Sequence, residues 1–197
     1  MPKKVVLIDG HPDTYSGRLC HALADAYGEG AVAAGAEVAR VDVGRLDFPL
    51  LRTKKDFELG SGGTPETLGP AREAIVSSNH IVIFYPLWHG SMPALLKGFL
   101  EQLLRPGVAL DEAKGRFPKP LFKGKSARVV VTMGMPVFAY RWYFGAHSLK
   151  CLKRNVLGFA GVNPIRDSLF GMVDSVTNEK RMQWLAQMRR EGQRDLR

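Results

Sequence analysis

Short apolar runs alternate with helical patterns along almost the whole chain. The strand-like runs cover residues 3–9, 37–42, 80–85, 127–132 and 162–170. The helical patterns cover residues 16–34, 64–77, 93–104, 142–157 and 178–193. Strands that each lead into a helix favour a parallel sheet with helices on both faces and right-handed crossovers. This alternation therefore predicts an α/β fold.

The length of the chain suits one unit of this kind. Its 197 residues fall within the usual size of a domain, and no internal repeat or low-complexity tract divides them. We therefore expect a single domain over residues 1–197, built around a five-stranded parallel sheet. The compact five-stranded version of this architecture is the flavodoxin-like arrangement, with strand order 2-1-3-4-5.

The composition narrows the class of protein. The chain is 45% hydrophobic and 24% charged, which is neither a disordered nor a membrane composition. No run approaches the roughly 20 apolar residues that span a bilayer, and the apolar run after Lys4 is too short for a signal peptide. We expect a cytoplasmic protein without stable membrane insertion. Cys20 and Cys151 lack metal-type spacing, so we expect buried thiols and no metal site.

The net charge of +9, from 28 basic and 19 acidic residues, calls for an explanation. The basic residues concentrate at residues 114–128 and 181–197. Neither segment is interleaved with the aromatic residues of RNA-binding sheets, so we expect no nucleic-acid partner. A solvated basic face and attraction of a phosphate-bearing cofactor both remain open.

The loop after the first predicted strand, residues 10–18, carries groups that bind phosphate. It leads directly into a helix N-terminus, whose free amides and dipole attract anions. Thr14 and Ser16 add hydroxyl groups, Arg18 adds a charged fork, and His11 and Gly17 complete the candidate set. The alternative is an ordinary turn in which Ser16 caps the helix.

The loop after the third predicted strand is suited to a flat ring. Between Pro86 and the next helix it places Leu87, Trp88 and His89, with several backbone amides and no acidic residue. Such a loop can lie against an electron-accepting ring such as a flavin and hydrogen-bond its edge through the backbone. A core position for Trp88 is the alternative.

A third loop, Thr132, Met133 and Gly134, follows the fourth predicted strand. The first, third and fourth strands are neighbours in the predicted order, so their loops converge at one edge of the sheet. We therefore predict one site there, with a phosphate end and a ring end.

The segment 138–147 is dense in aromatic residues. It is interpreted as a hydrophobic dimer surface, as a wall of the active site, or as both at once. Its candidate catalytic residues are Tyr140, Tyr143 and His147, which could donate protons or hydrogen bonds to a reduced carbonyl. We expect a homodimer.

At these residues the chain resembles the flavin-dependent NAD(P)H:quinone oxidoreductase family. That family includes the bacterial modulator of drug activity B and the ancillary subunits of potassium-efflux systems. The resemblance covers roughly residues 3–172 and is most specific at residues 86–87 and at Met-Pro-Ala-Leu-Leu-Lys-Gly-Phe, residues 92–99. It implies hydride transfer from NADH or NADPH through a flavin to a quinone or similar small molecule. The alternatives are a flavin-binding regulatory subunit of a cation-efflux system and a flavodoxin-type electron carrier.

The resemblance also implies roles for particular residues. His11 and residues 16–18 match the loop that binds the flavin phosphate, and residues 86–87 and 132–134 match segments that hold the flavin ring. Glu101 matches an acid that touches the distal part of FAD, which favours FAD over FMN. His147 matches a histidine that faces the substrate. Two departures are Met133, where the family usually has glycine, and His89, where mammalian members have tryptophan.

Overall fold

The computed structural model describes residues 2–112 and 117–196, so parts of the two basic segments lie outside the described residues. The strands are β1 Lys4–Asp9, β2 Glu37–Asp42, β3 His80–Pro86, β4 Ser126–Thr132 and β5 Ile165–Phe170. The α-helices are α1 Leu19–Ala33, α2 Lys54–Glu58, α3 Gly69–Ser77, α4 Ala94–Leu103, α5 His147–Lys150 and α6 Asn178–Arg194. Over these residues no helix combines the length and the hydropathy needed to cross a membrane.

The strands form one parallel sheet in the order β2-β1-β3-β4-β5, which confirms the predicted fold class. The register pairs Asp9 with Asp42, Pro86 with Thr132, and Thr132 with Phe170. The carboxyl ends of the strands are therefore nearly level. The loops that leave them meet along one edge of the sheet.

Helices cover both faces of the sheet, as the alternating pattern predicted. On one face α1 and α6 bury a cluster that includes Leu23, Phe84 and Met188. On the other face α3, α4 and the segment after α5 bury a larger cluster that includes Phe99 and Leu152. Alternate residues of β3 enter the two clusters, because successive side chains of a strand point to opposite faces.

The predicted cap of the first helix was wrong. Helix α1 begins at Leu19 with Arg18 at its N-cap, and Ser16 makes no capping hydrogen bond. The polar groups of the preceding loop bond to one another instead, with the amide of Tyr15 donating to the carboxylate of Asp13. The first turn of α1 is thereby left without a side-chain cap.

The predicted helix over residues 142–157 was also wrong in its continuity. A π-helical turn at Ala139–Tyr143 ends before Gly145 and Ala146, whose φ angles are 65° and 48°. Such angles cannot continue a right-handed helix, so α5 starts afresh and passes into a second π-helical stretch, Cys151–Gly158. Cys151 lies at the start of that stretch and is exposed, contrary to the prediction, whereas Cys20 is buried as predicted.

Candidate functional site

A cleft of about 630 Å³ opens at the carboxyl edge of the sheet. Loops that follow β1, β3, β4 and β5 supply its walls. The lining residues are His11, Asp13, Gly17, Arg18, Leu19, Cys20, Pro86, Leu87, Trp88, Thr132, Met133, Gly134, Val173, Asp174 and Arg181. The three loops that the sequence predicted to converge do meet in this cleft.

Most of the predicted cofactor-binding residues are brought together here. Those that line the cleft are His11, Gly17, Arg18, Pro86, Leu87, Trp88, Thr132, Met133 and Gly134. They come from three separate stretches of the chain that the sheet register brings side by side. What they bind stays a prediction at this point.

Internal hydrogen bonds fix the shape of the loop after β1. The amide of His11 donates to Asp9 Oδ1 at 3.2 Å, and the amide of Asp13 donates to His11 Nδ1 at 3.1 Å. His11 Nδ1 is an acceptor in this bond, so the neutral ring carries its proton on Nε2. Burial, and secondarily the nearby His21, lower the pKa of His11. The ring is therefore a neutral donor near pH 7.

One end of the cleft is rich in hydrogen-bond donors, and the carboxylates of Asp13 and Asp174 also line the cleft. Arg18 donates to Asp13 Oδ2 from Nε at 2.8 Å and from Nη2 at 2.5 Å, which holds the guanidinium beside the loop. Leu19 and Cys20 of the first helical turn lie next to it, and that turn contains no acidic residue. Burial, followed by the charge of Asp9, raises the pKa of Cys20, so its thiol stays protonated. An anionic group is stabilised at such a helix end.

The other end of the cleft is flat and partly aromatic. Trp88 and Ser91 exchange two backbone hydrogen bonds of 2.9 Å, which close a tight turn with positive φ angles at His89 and Gly90. Trp88 is 46% exposed and packs edge-to-face against His11, with the ring centroids 6.0 Å apart. The alternative of a core position for Trp88 is thus excluded. Its ring forms part of the cleft wall.

Met133 does not obstruct the cleft with its side chain. The side chain is 2% exposed and belongs to the larger core cluster. The backbone amide of Met133 donates to Phe170 O at 2.8 Å, and its carbonyl accepts from Val173 at 3.2 Å. The bulk that replaces the family's usual glycine is therefore directed into the core.

The sequence prediction missed the wall supplied by the loop after β5. Val173, Asp174 and Arg181 line this side of the cleft. Arg181 Nη2 donates to Val173 O at 3.2 Å, and its Nε is buried without a hydrogen-bond partner among the described residues. The strand-end rule used for the other loops also applies to the fifth strand. An arginine early in the following helix, like Arg18 before α1, was the available signal.

Four predicted cofactor-binding residues lie elsewhere in the described chain. Thr14 and Ser16 face a smaller cavity of about 130 Å³ on the β2 side of the same loop. His89 is exposed at the tip of its turn. Glu101 pairs with Lys97 on α4 and lines a separate apolar groove of about 200 Å³.

The three predicted catalytic residues are not among the described residues that line the cleft. Tyr140 is buried, and its hydroxyl accepts a hydrogen bond from the amide of Leu149 at 3.2 Å. Burial raises its pKa. Tyr143 is 84% exposed, and His147 is exposed at the start of α5. Their catalytic roles stay predictions without support from this geometry.

Comparison with known proteins defines the family. A family model described as flavodoxin-like fold matches residues 3–191, nearly the whole chain, and the chain belongs to that family. An uncharacterized NAD(P)H oxidoreductase of Haemophilus influenzae is 28% identical over 149 residues, covering 75% of this chain and 73% of the relative. The FMN-dependent NAD(P)H:quinone oxidoreductase 1 of Pseudomonas aeruginosa is 29% identical over 147 residues, covering 66% and 68%.

A solved structure agrees with this assignment. The NAD(P)H:quinone oxidoreductase from Methanothermobacter marburgensis matches with a TM-score of 0.80 over 98% of this chain and 96% of that one. The two sequences are 20% identical, so the match shows a shared fold. The predicted flavodoxin-like fold is confirmed, and the names of the relatives agree with the quinone-reductase resemblance.

Proposed function

We propose that the chain is a flavin-dependent oxidoreductase that passes a hydride from NADH or NADPH to a quinone-like acceptor. The observation that carries the proposal is one cleft with a donor-rich end and a flat aromatic end, both at the carboxyl edge of the sheet. The names of the two relatives support the same reaction class.

The donor-rich end fits the phosphate of a flavin nucleotide. Arg18 offers a guanidinium, and the uncapped first turn of α1 offers backbone amides at Leu19 and Cys20. Arg181 stands on the opposite wall with a buried Nε that lacks a partner among the described residues. An anionic acceptor between these groups would satisfy donors that have no partner among the described residues, such as Arg181 Nε.

The aromatic end fits the flavin ring. A bound flavin supplies the hydride chemistry, and the protein binds and orients it. Trp88 and Leu87 form one wall, and Gly134, with no side chain of its own, lines the cleft beside the carboxylate of Asp174. His11, a neutral donor on Nε2, lies beside Trp88 between the two ends of the cleft. These residues orient the ring and limit the access of water to it.

FMN is the better candidate for the flavin. The expectation of FAD rested on Glu101, and the structure places Glu101 in a groove formed by other residues, beside Lys97 on α4. The printed name of the Pseudomonas aeruginosa relative describes that protein as FMN-dependent. Both observations support FMN, the alternative that the sequence left open.

A binding and turnover experiment tests the proposal. Purified protein stripped of small molecules is titrated with FMN and with FAD, and NADH and NADPH oxidation is then followed with menadione as acceptor. We expect tight FMN binding and rapid two-electron reduction of menadione. Binding without NAD(P)H oxidation would favour a regulatory subunit or an electron carrier. A protein that binds neither flavin would contradict the proposal.

A further inference from the structure

His21 ties the first turn of α1 to both ends of the preceding loop. Its Nδ1 lies 2.5 Å from Asp9 Oδ2, and its Nε2 lies 2.9 Å from the carbonyl oxygen of Asp13. Its side chain is 13% exposed, and it is not among the described residues that line the main cleft. The sequence did not single it out, because nothing in its local pattern shows these two partners.

The partners of His21 are themselves well fixed. The carboxylate of Asp9 is fully buried at the end of β1. It also accepts from the amide of His11 at 3.2 Å and from Arg40 Nη2 at 2.7 Å. Because Asp9 is part of the sheet and has several donors, it gives the His21 ring a rigid anchor.

Asp13 links His21 to residues of the cleft wall. Its amide donates to His11 Nδ1, and its carboxylate accepts from the amide of Tyr15 and from the guanidinium of Arg18. The residue whose carbonyl His21 holds therefore sets the positions of both His11 and Arg18. Together with Asp13 itself, these are the polar side chains of this loop that line the cleft.

The chemistry of the two contacts suits a rigid link. Both ring nitrogens of His21 face oxygen atoms, one on a buried carboxylate of the sheet and one on the backbone of the loop. The link is thus a contact with the sheet on one side and a backbone tether on the other.

We infer that His21 is the positioning residue of the cofactor-phosphate loop. It holds Asp13 so that Arg18 and the N-terminus of α1 stand together where the phosphate of the flavin nucleotide binds. The inference rests on the proposed function and deepens it. It predicts that loss of His21 weakens recognition of the phosphate group, through Arg18, far more than recognition of the flavin ring, because His11 keeps its own backbone hydrogen bond to Asp9.

Riboflavin and FMN separate these two effects, since they share the ring and the ribityl chain and differ in the phosphate. Both are titrated by fluorescence into the full-length wild-type chain and its variants. In His21→Ala we expect the Kd for FMN to rise about 10-fold or more, while the Kd for riboflavin changes less than about twofold.

Two conservative variants test which tether matters. In His21→Gln the amide nitrogen reaches the place of Nε2 and can still donate to the Asp13 carbonyl. In His21→Asn it takes the place of Nδ1 and can reach only Asp9. We expect Gln to restore most of the FMN affinity and Asn to behave like Ala. If His21→Ala does not fold, the comparison of His21→Gln with His21→Asn still tests the inference.

Tyr27→Phe provides a matched control on the same helix. It removes hydrogen bonds from the far end of α1, where the Tyr27 hydroxyl contacts His80 and Asp195. It should weaken folding without changing the ratio of FMN to riboflavin affinity. An unchanged ratio in His21→Ala, or equal weakening of both ligands, would overturn the inference and leave the proposed function standing. A wild-type chain that binds neither flavin would overturn both.

Discussion

Arg18 is the residue through which the phosphate end of the cleft is most directly tested. Its guanidinium is held by Asp13 and remains half exposed, so it is available to a ligand. Arg18→Ala should raise the Kd for FMN by about 10- to 100-fold, because a charge-assisted contact contributes about 1.5–3 kcal/mol. Fluorescence titration measures the change, and circular dichroism checks that the variant folds.

The control for this change is Arg189→Ala. Arg189 is also partly exposed and pairs with Glu29, away from the cleft. The substitution Arg189→Ala removes the same charge from the molecule but leaves the site intact. Equal effects of the two substitutions would mean that net charge alone attracts FMN. If Arg18→Ala does not change the Kd for FMN, Arg18 is not part of the binding site.

Single residues differ in how far the sequence could place them. The sequence predicted His11, Arg18 and Trp88 because each lies in a loop that follows a strand. Such loops meet at the carboxyl edge of a parallel sheet. His21 was missed because its role depends on contacts with separate elements, whereas Arg181 was missed because the strand-end rule was not applied to the fifth strand. Glu101 was assigned by resemblance alone, and on α4 it lines a different groove from the cleft.

At the scale of elements, a buried polar network fastens the two helices of one face to the sheet. Tyr27 of α1 donates to Asp195, just after α6, at 3.0 Å, and its hydroxyl lies 3.0 Å from His80 of β3. Arg128 of β4 donates to both oxygens of Asp195, at 2.6 and 2.9 Å. The network lies toward the amino edge of the sheet. It thereby fixes the far end of the helix that carries Arg181.

This network makes stability depend on pH through His80. Burial lowers the pKa of His80 to about 4, whereas an unfolded histidine takes up a proton near its ordinary value of about 6.5. Between these values the unfolded chain binds more protons, so the free energy of unfolding rises with pH. The stabilisation is complete above about pH 6.5 and is lost as the pH falls through about 4.

We expect this effect to reach about 2–3 kcal/mol between pH 7 and pH 4, from about 1.4 kcal/mol per pKa unit. Urea denaturation at several pH values measures it in the wild type and in His80→Gln, whose side chain does not titrate. His11 contributes with the same sign, since burial also lowers its pKa, so the difference between the two proteins isolates His80. Parallel pH profiles for the two proteins would contradict the prediction.

The helices and strands, like the single residues, were predicted where their signal lies in the local sequence. All five strands and the helices α1, α3, α4 and α6 were predicted, because buried strands and amphipathic helices leave a periodic pattern in the sequence. The short helix α2 lies in a segment that was predicted to be a long connection. The break near Gly145 and Ala146 was not predicted. Gly145 takes a positive φ readily, whereas alanine favours helix, so the positive φ of Ala146 has no signal in its residue type.

At the scale of the whole molecule, the alternation of strands and helices determined the fold class and the edge on which the site lies. It did not determine whether copies of the chain associate. Association depends on exposed residues, and exposed residues leave no periodic pattern in the sequence. The aromatic segment 138–144 is the feature of the surface that bears on this question. Phe138, Trp142, Tyr143 and Phe144 are all exposed there.

Soluble monomers seldom leave a contiguous apolar patch of this kind open, so we expect the segment 138–144 to be covered by a second copy in a two-fold dimer. Light scattering at micromolar concentration should give twice the chain mass of 21.8 kDa. Replacing Trp142 and Tyr143, which are 81% and 84% exposed, by serine should shift the protein to monomer, because two large rings leave the interface. Val76→Ser, a change at an exposed apolar residue on α3, serves as the control and should leave the dimer intact. A wild-type species of 21.8 kDa alone would show that the aromatic segment serves another purpose.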